Sequence, residues 1–148
     1  MNKTYSAKPS EVKRDWYSLD ASEDSLGRVA SKAAQLLTGK GKPMFTAHID
    51  CGDYVIITNA EKLKVTGNKM ASIKYYHHSQ YPGGLSTRTL EEQMVKNPAK
   101  AIQEAVRGML PANKLTADRM NRLKVYNGET HKHEAQQPLK ITLKKGEK

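Results

Sequence analysis

The chain has 148 residues, 37% of them hydrophobic, which is enough for one modest core. Its 25 lysines and arginines against 15 acidic residues leave a formal charge of +10, spread along the chain rather than gathered at one end, as suits a folded body wrapped by a polyanion. One cysteine excludes an intramolecular disulfide framework, no apolar run approaches the ~18 residues of a membrane span, and the first residues lack a signal-peptide core; a soluble, cytoplasmic protein with no membrane partner is expected.

Residues 1–14 are polar and basic and read as an extended arm, ahead of a single domain over 15–138 and a basic tail over 139–148. Trp16-Tyr17-Ser18-Leu19-Asp20-Ala21 predicts a short strand. Leu26, Val29, Ala30, Ala33, Ala34 and Leu37 then recur at helical spacing, and Gly39 follows as a C-cap. Lys40 and Lys42, in the loop beyond, complement the helix dipole and could reach phosphate. Tyr54-Val55-Ile56-Ile57-Thr58 is nearly continuous and β-branched, as in a strand buried on both faces. Shorter strands are expected at 64–66 and 73–76. Helices are expected over 90–95, from an Asn97 N-cap and Pro98 to about Arg107 ahead of Gly108, and over 115–123, before a last strand at 123–126. The tail carries an alternating Leu139/Ile141/Leu143 pattern before Lys144-Lys145. Strands alternating with helices predict a three-layer α/β domain with a largely parallel sheet.

Tyr75-Tyr76-His77-His78-Ser79-Gln80-Tyr81-Pro82-Gly83-Gly84 is the segment richest in chemistry, with Lys69 and Lys74 before it and Arg88 after. Aromatic faces stack on bases, hydroxyls and imidazoles bond phosphates and 2′-hydroxyls, and glycines let backbone approach a ligand closely. The segment reads as an RNA-contacting surface. Arg107 joins it, since a guanidinium fork matches phosphate. Lys124 faces away from Leu123 and Val125 on its strand, toward solvent or RNA.

Two rival chemistries fare worse. His77-His78 and His131-x-His133 offer four imidazoles to a metal, but adjacent histidines on extended chain point to opposite sides and no second cysteine completes a set. An enzyme could draw on His48, Asp50, Cys51 and Asp53, yet the two acids disfavour a thiolate, and no phosphate loop or nucleophile elbow is present. No catalytic residue, metal, cofactor or small-molecule substrate is expected.

Several segments appear together and in order: Leu26-Gly27-Arg28, Gly52-Asp53-Tyr54-Val55-Ile56, Thr66-Gly67-Asn68-Lys69, Tyr75-Tyr76-His77-His78-Ser79, Tyr81-Pro82-Gly83-Gly84, Val106-Arg107-Gly108-Met109-Leu110-Pro111, Leu123-Lys124-Val125-Tyr126 and Ala135-Gln136-Gln137-Pro138. Over roughly residues 7–138 the chain resembles the bacterial form of large-ribosomal-subunit protein thirteen, the universal L-thirteen family. The resemblance implies a three-layer α/β/α fold with a four-stranded, mostly parallel sheet. It also implies a non-enzymatic role: binding large-subunit ribosomal RNA beside neighbouring large-subunit ribosomal proteins, and helping early assembly of that subunit. Leu115-Thr116-Ala117 departs from the family's Leu-Gly-Arg step, and Arg119 and Arg122 are expected to compensate. The expected RNA contacts are Arg28, Lys40, Lys42, Lys69, Lys74, Tyr75, Tyr76, His77, His78, Tyr81, Gly83, Gly84, Arg88, Arg107, Arg119, Arg122, Lys124, His131 and His133.

Overall fold

The structure, a computed structural model, describes residues 5–143. The first four residues of the basic arm and the Lys144-Lys145 pair lie outside the described residues. Strand β1 (Trp16–Asp20) leads into helix α1 (Leu26–Thr38), and the chain returns as β2 (Tyr54–Thr58) beside β1. Next come a single helical turn α2 (Lys69–Ser72), strands β3 (Lys74–His78) and β4 (Leu85–Thr89), and helices α3 (Leu90–Lys96), α4 (Pro98–Met109) and α5 (Leu115–Asn121). Strands β5 (Leu123–Val125) and β6 (Leu139–Ile141) complete the order. The main sheet is four-stranded and wholly parallel, in the order β5-β2-β1-β6.

Helix α1 forms where the periodicity places it. Its apolar stripe is buried from Leu26 to Leu37, and Gly39 at φ 76° closes it by donating its N–H to the carbonyls of Gln35 and Leu36. Helix α4 starts on the Asn97 side chain, which accepts the Lys100 N–H at 3.3 Å, with Pro98 in the first turn. It runs through Gly108 to Met109, a little past the expected end. What stops it is Leu110, held extended ahead of Pro111. Alanines 30, 33 and 34 of α1 and Ala101 of α4 are small enough to let the two helices pack closely with Ile102 and Val106 over Leu19, Val55, Ile57 and Leu123 of the sheet.

The sheet's other face carries Trp16, Ser18, Tyr54, Ile56 and Lys124. Residues 126–138 cross over it on the way from β5 to the far edge, with a 3-10 turn at Glu134–Gln136. The His133 ring lies 5.0 Å from Trp16, which stacks on Tyr54 at 4.2 Å. This is the α/β/α plan, its third layer reduced to an irregular segment and one turn. Ile56 is fully buried under it, so β2 is covered on both sides as its run of β-branched residues requires.

Three expectations change. Residues 64–66 are no strand: Lys64 makes one bridge to Ser25, and Gly67 at φ 66° then turns the chain away. The strand expected at 73–76 is real but leaves the main sheet, pairing antiparallel with β4. The fourth strand of the sheet is instead Leu139–Ile141, so the sheet extends past residue 138.

Asp20, at the end of β1, binds Ser22 through both its N–H and its hydroxyl and also accepts from Asn59. Burial alone would raise its pKa; these hydrogen bonds and nearby Lys140 outweigh that and hold the carboxyl below its ordinary value of 3.8. The folded pKa is therefore depressed, so the stabilisation is present above that ordinary value and lost as pH falls through the folded one. Asp20→Asn is expected to lower the urea midpoint near neutrality and to flatten its fall below about pH 4. Parallel acid curves for variant and parent would contradict this.

Candidate nucleic-acid interface

The β3–β4 hairpin stands on the main domain by its base. Leu90 donates its N–H to the Ile73 carbonyl at 3.0 Å, and Thr89 forms a reciprocal capping box with Glu92 that starts α3. At the tip, Ser79 donates to the Gly84 carbonyl and Gly84 to that of Tyr81, with Gln80 and Gly83 at positive φ. A Cβ on Gly84 would lie 2.0 Å from the Ser79 hydroxyl oxygen and 2.9 Å from the Tyr81 carbonyl oxygen, so this turn requires glycine there. His78 Nδ1 accepts the Gln80 N–H at 3.0 Å, which ties that imidazole to the turn.

Strand alternation gives the hairpin two faces. Tyr75, His77, Ser86 and Arg88 share one, since Tyr75 pairs with Arg88 and His77 with Ser86. With Lys100, Glu104 and Arg107 of α4 they line a groove of about 620 Å³. Lys74, Arg88, Lys100 and Arg107 are exposed, and among the described residues none of the four forms an ion pair. Tyr76, His78, Leu85 and Thr87 occupy the opposite face. Tyr76 is 67% exposed, Leu85 61%, and Tyr81 at the tip 76%. Arg88 faces α4 with Lys100 and Arg107 across the groove, whereas Lys74 shares the strand face of Tyr76, and both Lys74 and Tyr76 reach the groove's rim. Cations and exposed aromatic rings together suit a ligand that is both a polyanion and a set of flat bases.

The two tyrosines divide. Tyr75 packs half-buried against the core, and burial first, then the Glu104 carboxylate, raises its pKa. Only Tyr76 has a free ring. Tyr76→Ala is expected to weaken RNA binding by about 1–3 kcal/mol at unchanged thermal stability. Tyr75→Ala is expected to cost about 1–2 kcal/mol of folding stability, the burial of half a large side chain. Binding isotherms and melting curves on both variants check this, and the opposite pattern would overturn the assignment.

Other expected contacts lie elsewhere. Lys40 and Lys69 are exposed away from the hairpin strands. Arg28 is partnered by Asp24 at 3.2 Å on the first turn of α1. Lys124 is half-buried on β5, on the face shared with Ile56. Five of these residues are engaged within the fold. Lys42 is a pin rather than a mobile cation: its Nζ binds the Asp53 carboxylate and donates to the Lys13 carbonyl at 2.7 Å. Arg119 and Arg122 are 2% and 7% exposed. Arg122 grips Asp50 with both terminal nitrogens, one at 2.7 Å, and Arg119 Nε lies 3.7 Å from the same carboxylate. Neither presents charge to a ligand. His131 and His133 pack around Tyr126 and Trp16, so their rings cover the sheet and do not gather with His77 and His78.

Cys51 is wholly buried, and Asp50 and Asp53 are engaged by arginine and lysine. Among the described residues no three His, Cys, Asp or Glu side chains gather to hold a metal ion, and no helix is long and apolar enough to cross a membrane. Sequence reasoning missed Lys100 and Glu104. Their spacing with Arg107, at i, i+4 and i+7, was the available signal, one polar stripe beside the apolar face of α4.

A family model described as ribosomal protein L13 matches residues 14–132. The chain is 54% identical over 141 residues to the large ribosomal subunit protein uL13 of Cupriavidus necator, an alignment covering 95% of this chain and 99% of that protein. It is 53% identical over 141 residues to the protein of that name from Nitrosococcus oceani, with the same coverage. It is 51% identical over 138 residues to that of Symbiobacterium thermophilum, covering 93% of this chain and 96% of that one.

Proposed function

The chain belongs to the ribosomal protein L13 family, and we propose that it is a structural constituent of the large ribosomal subunit that binds large-subunit ribosomal RNA and supports early assembly of that subunit. Its role is architectural rather than catalytic. The observation that carries the reading is the hairpin and α4 surface, where four cations without ion pairs stand beside exposed tyrosine rings. Lysine and arginine supply affinity through phosphates, while shape and stacking place the protein on irregular RNA. Neighbouring large-subunit proteins meet the remaining surface.

Quantitative mass spectrometry across a sucrose gradient of cell lysate tests the reading. One copy per large subunit, retained through a moderate salt wash, is expected; residence in the light soluble fractions would overturn it. Binding of the purified protein to large-subunit ribosomal RNA should fall with salt along a log–log slope near ~−4, as for about six phosphates on irregular RNA. An affinity indifferent to salt would mean that phosphate contacts do not drive the complex.

A further inference from the structure

The groove between the hairpin and α4 contains one side chain that binding to phosphate does not call for. Glu104 sits half-buried in its wall, among Lys74, Arg88, Lys100 and Arg107, where a carboxylate repels RNA backbone. Lys100 four residues before it and Arg107 three after are its natural partners on a helix. Among the described residues, however, Glu104 makes no ion pair and no hydrogen bond. Its field falls on the Tyr75 hydroxyl instead. A half-buried acceptor without a donor, beside two aromatic rings and ringed by cations, fits a ligand that brings its own N–H groups along with its phosphates.

Building on the RNA reading above, we propose that the groove takes one unpaired guanosine and that Glu104 selects it. The carboxylate accepts from N1–H and from the 2-amino group, two adjacent donors on the Watson–Crick edge, in a pair of charge-assisted bonds. No other base offers that pair. Adenine and cytosine set a single amino group beside a ring-nitrogen acceptor, and uracil flanks its one N–H with two carbonyls, so each turns a lone pair toward the carboxylate. The rings of Tyr75 and His77 bound the groove beside the base, and Arg88, Lys100 and Arg107 take the flanking phosphates.

The test uses the full chain with single-stranded uridine heptamers bearing guanosine, inosine, adenosine, cytidine or uridine at the centre, in one fixed salt. The guanosine heptamer is expected to bind about tenfold more tightly than those with adenosine, cytidine or uridine, with inosine between because it lacks the 2-amino donor. In Glu104→Gln the guanosine preference should collapse while the other heptamers bind as well or better, since a repelling charge has gone. Large-subunit ribosomal RNA is measured alongside. If the parent binds that RNA with the expected salt dependence but binds all heptamers alike or none, or if Glu104→Gln keeps the preference, the selector role is wrong and the RNA reading stands. If the parent binds neither the RNA nor any heptamer, both fall.

Discussion

Gly52→Ala is expected to disrupt the fold more than the same change at any other glycine among the described residues. A Cβ there would lie 1.8 Å from the Leu37 carbonyl oxygen and 2.5 Å from its carbon, and both atoms are backbone in the last turn of α1. No side-chain rotation relieves such an overlap. The loop would have to lift from α1, and the Asp53 N–H bond to the Leu36 carbonyl and the Arg122 contact with Leu37 would go with it. A cost of at least about 3–5 kcal/mol follows, a fall of roughly 10 °C or more in Tm for a chain of this size. Gly27→Ala is the control. Its added methyl meets nothing within 4 Å inside α1, and alanine there should stabilise by about 0.5–1 kcal/mol. Thermal melts of the two variants check the contrast, and a Gly52→Ala protein melting within about two degrees of the parent would refute it.

Asp50→Asn is expected to be almost as severe, for an electrostatic reason. One carboxylate serves Arg14, Arg119 and Arg122, the last two deeply buried. Neutralising it strands two guanidinium groups without a counter-charge, at about 3–5 kcal/mol. Arg119→Met should behave oppositely. Arg119 Nε and Nη1 are buried and make no hydrogen bond among the described residues, and the ion pair of Nε with Asp50 is long, so a methionine should leave stability unchanged or raise it. Urea midpoints for the two variants decide the matter. An Arg119→Met variant more damaged than Asp50→Asn would overturn the view that Arg119 is an under-compensated buried charge.

The same arginines mark where sequence stops informing. Charge type argues for exposure, and Arg122 finds Asp50 only at a separation of 72 positions along the chain, a pairing that no local pattern encodes. The inward turn of Lys42 toward Asp53 and of His133 onto Trp16 is hidden for the same reason. Local rules succeeded where the cause is local. The α1 stripe with Gly39, the Asn97-Pro98 start of α4 and the doubly covered β2 all follow from spacing and cap chemistry. The hairpin falls between these cases. Alternation identified an extended segment at 73–76, but periodicity does not say which strand it pairs with. The tyrosine-histidine run was legible as a surface, whereas which of its side chains turn toward α4 depends on register.

The parallel pairing of β6 with β1 has a bearing on how the molecule comes into being. Tyr17 lies opposite Leu139, so roughly 120 residues must be made between one strand and its neighbour. On a chain emerging from the N-terminal end, β1, β2 and β5 with α1 and α4 can assemble first, joined by shorter connections. Until β6 arrives, the outer side of β1 offers unpaired amides and carbonyls to any extended chain nearby. The final strand thus acts as a seal on the nascent protein, and shortening the chain before Leu139 would leave that seam open to self-association.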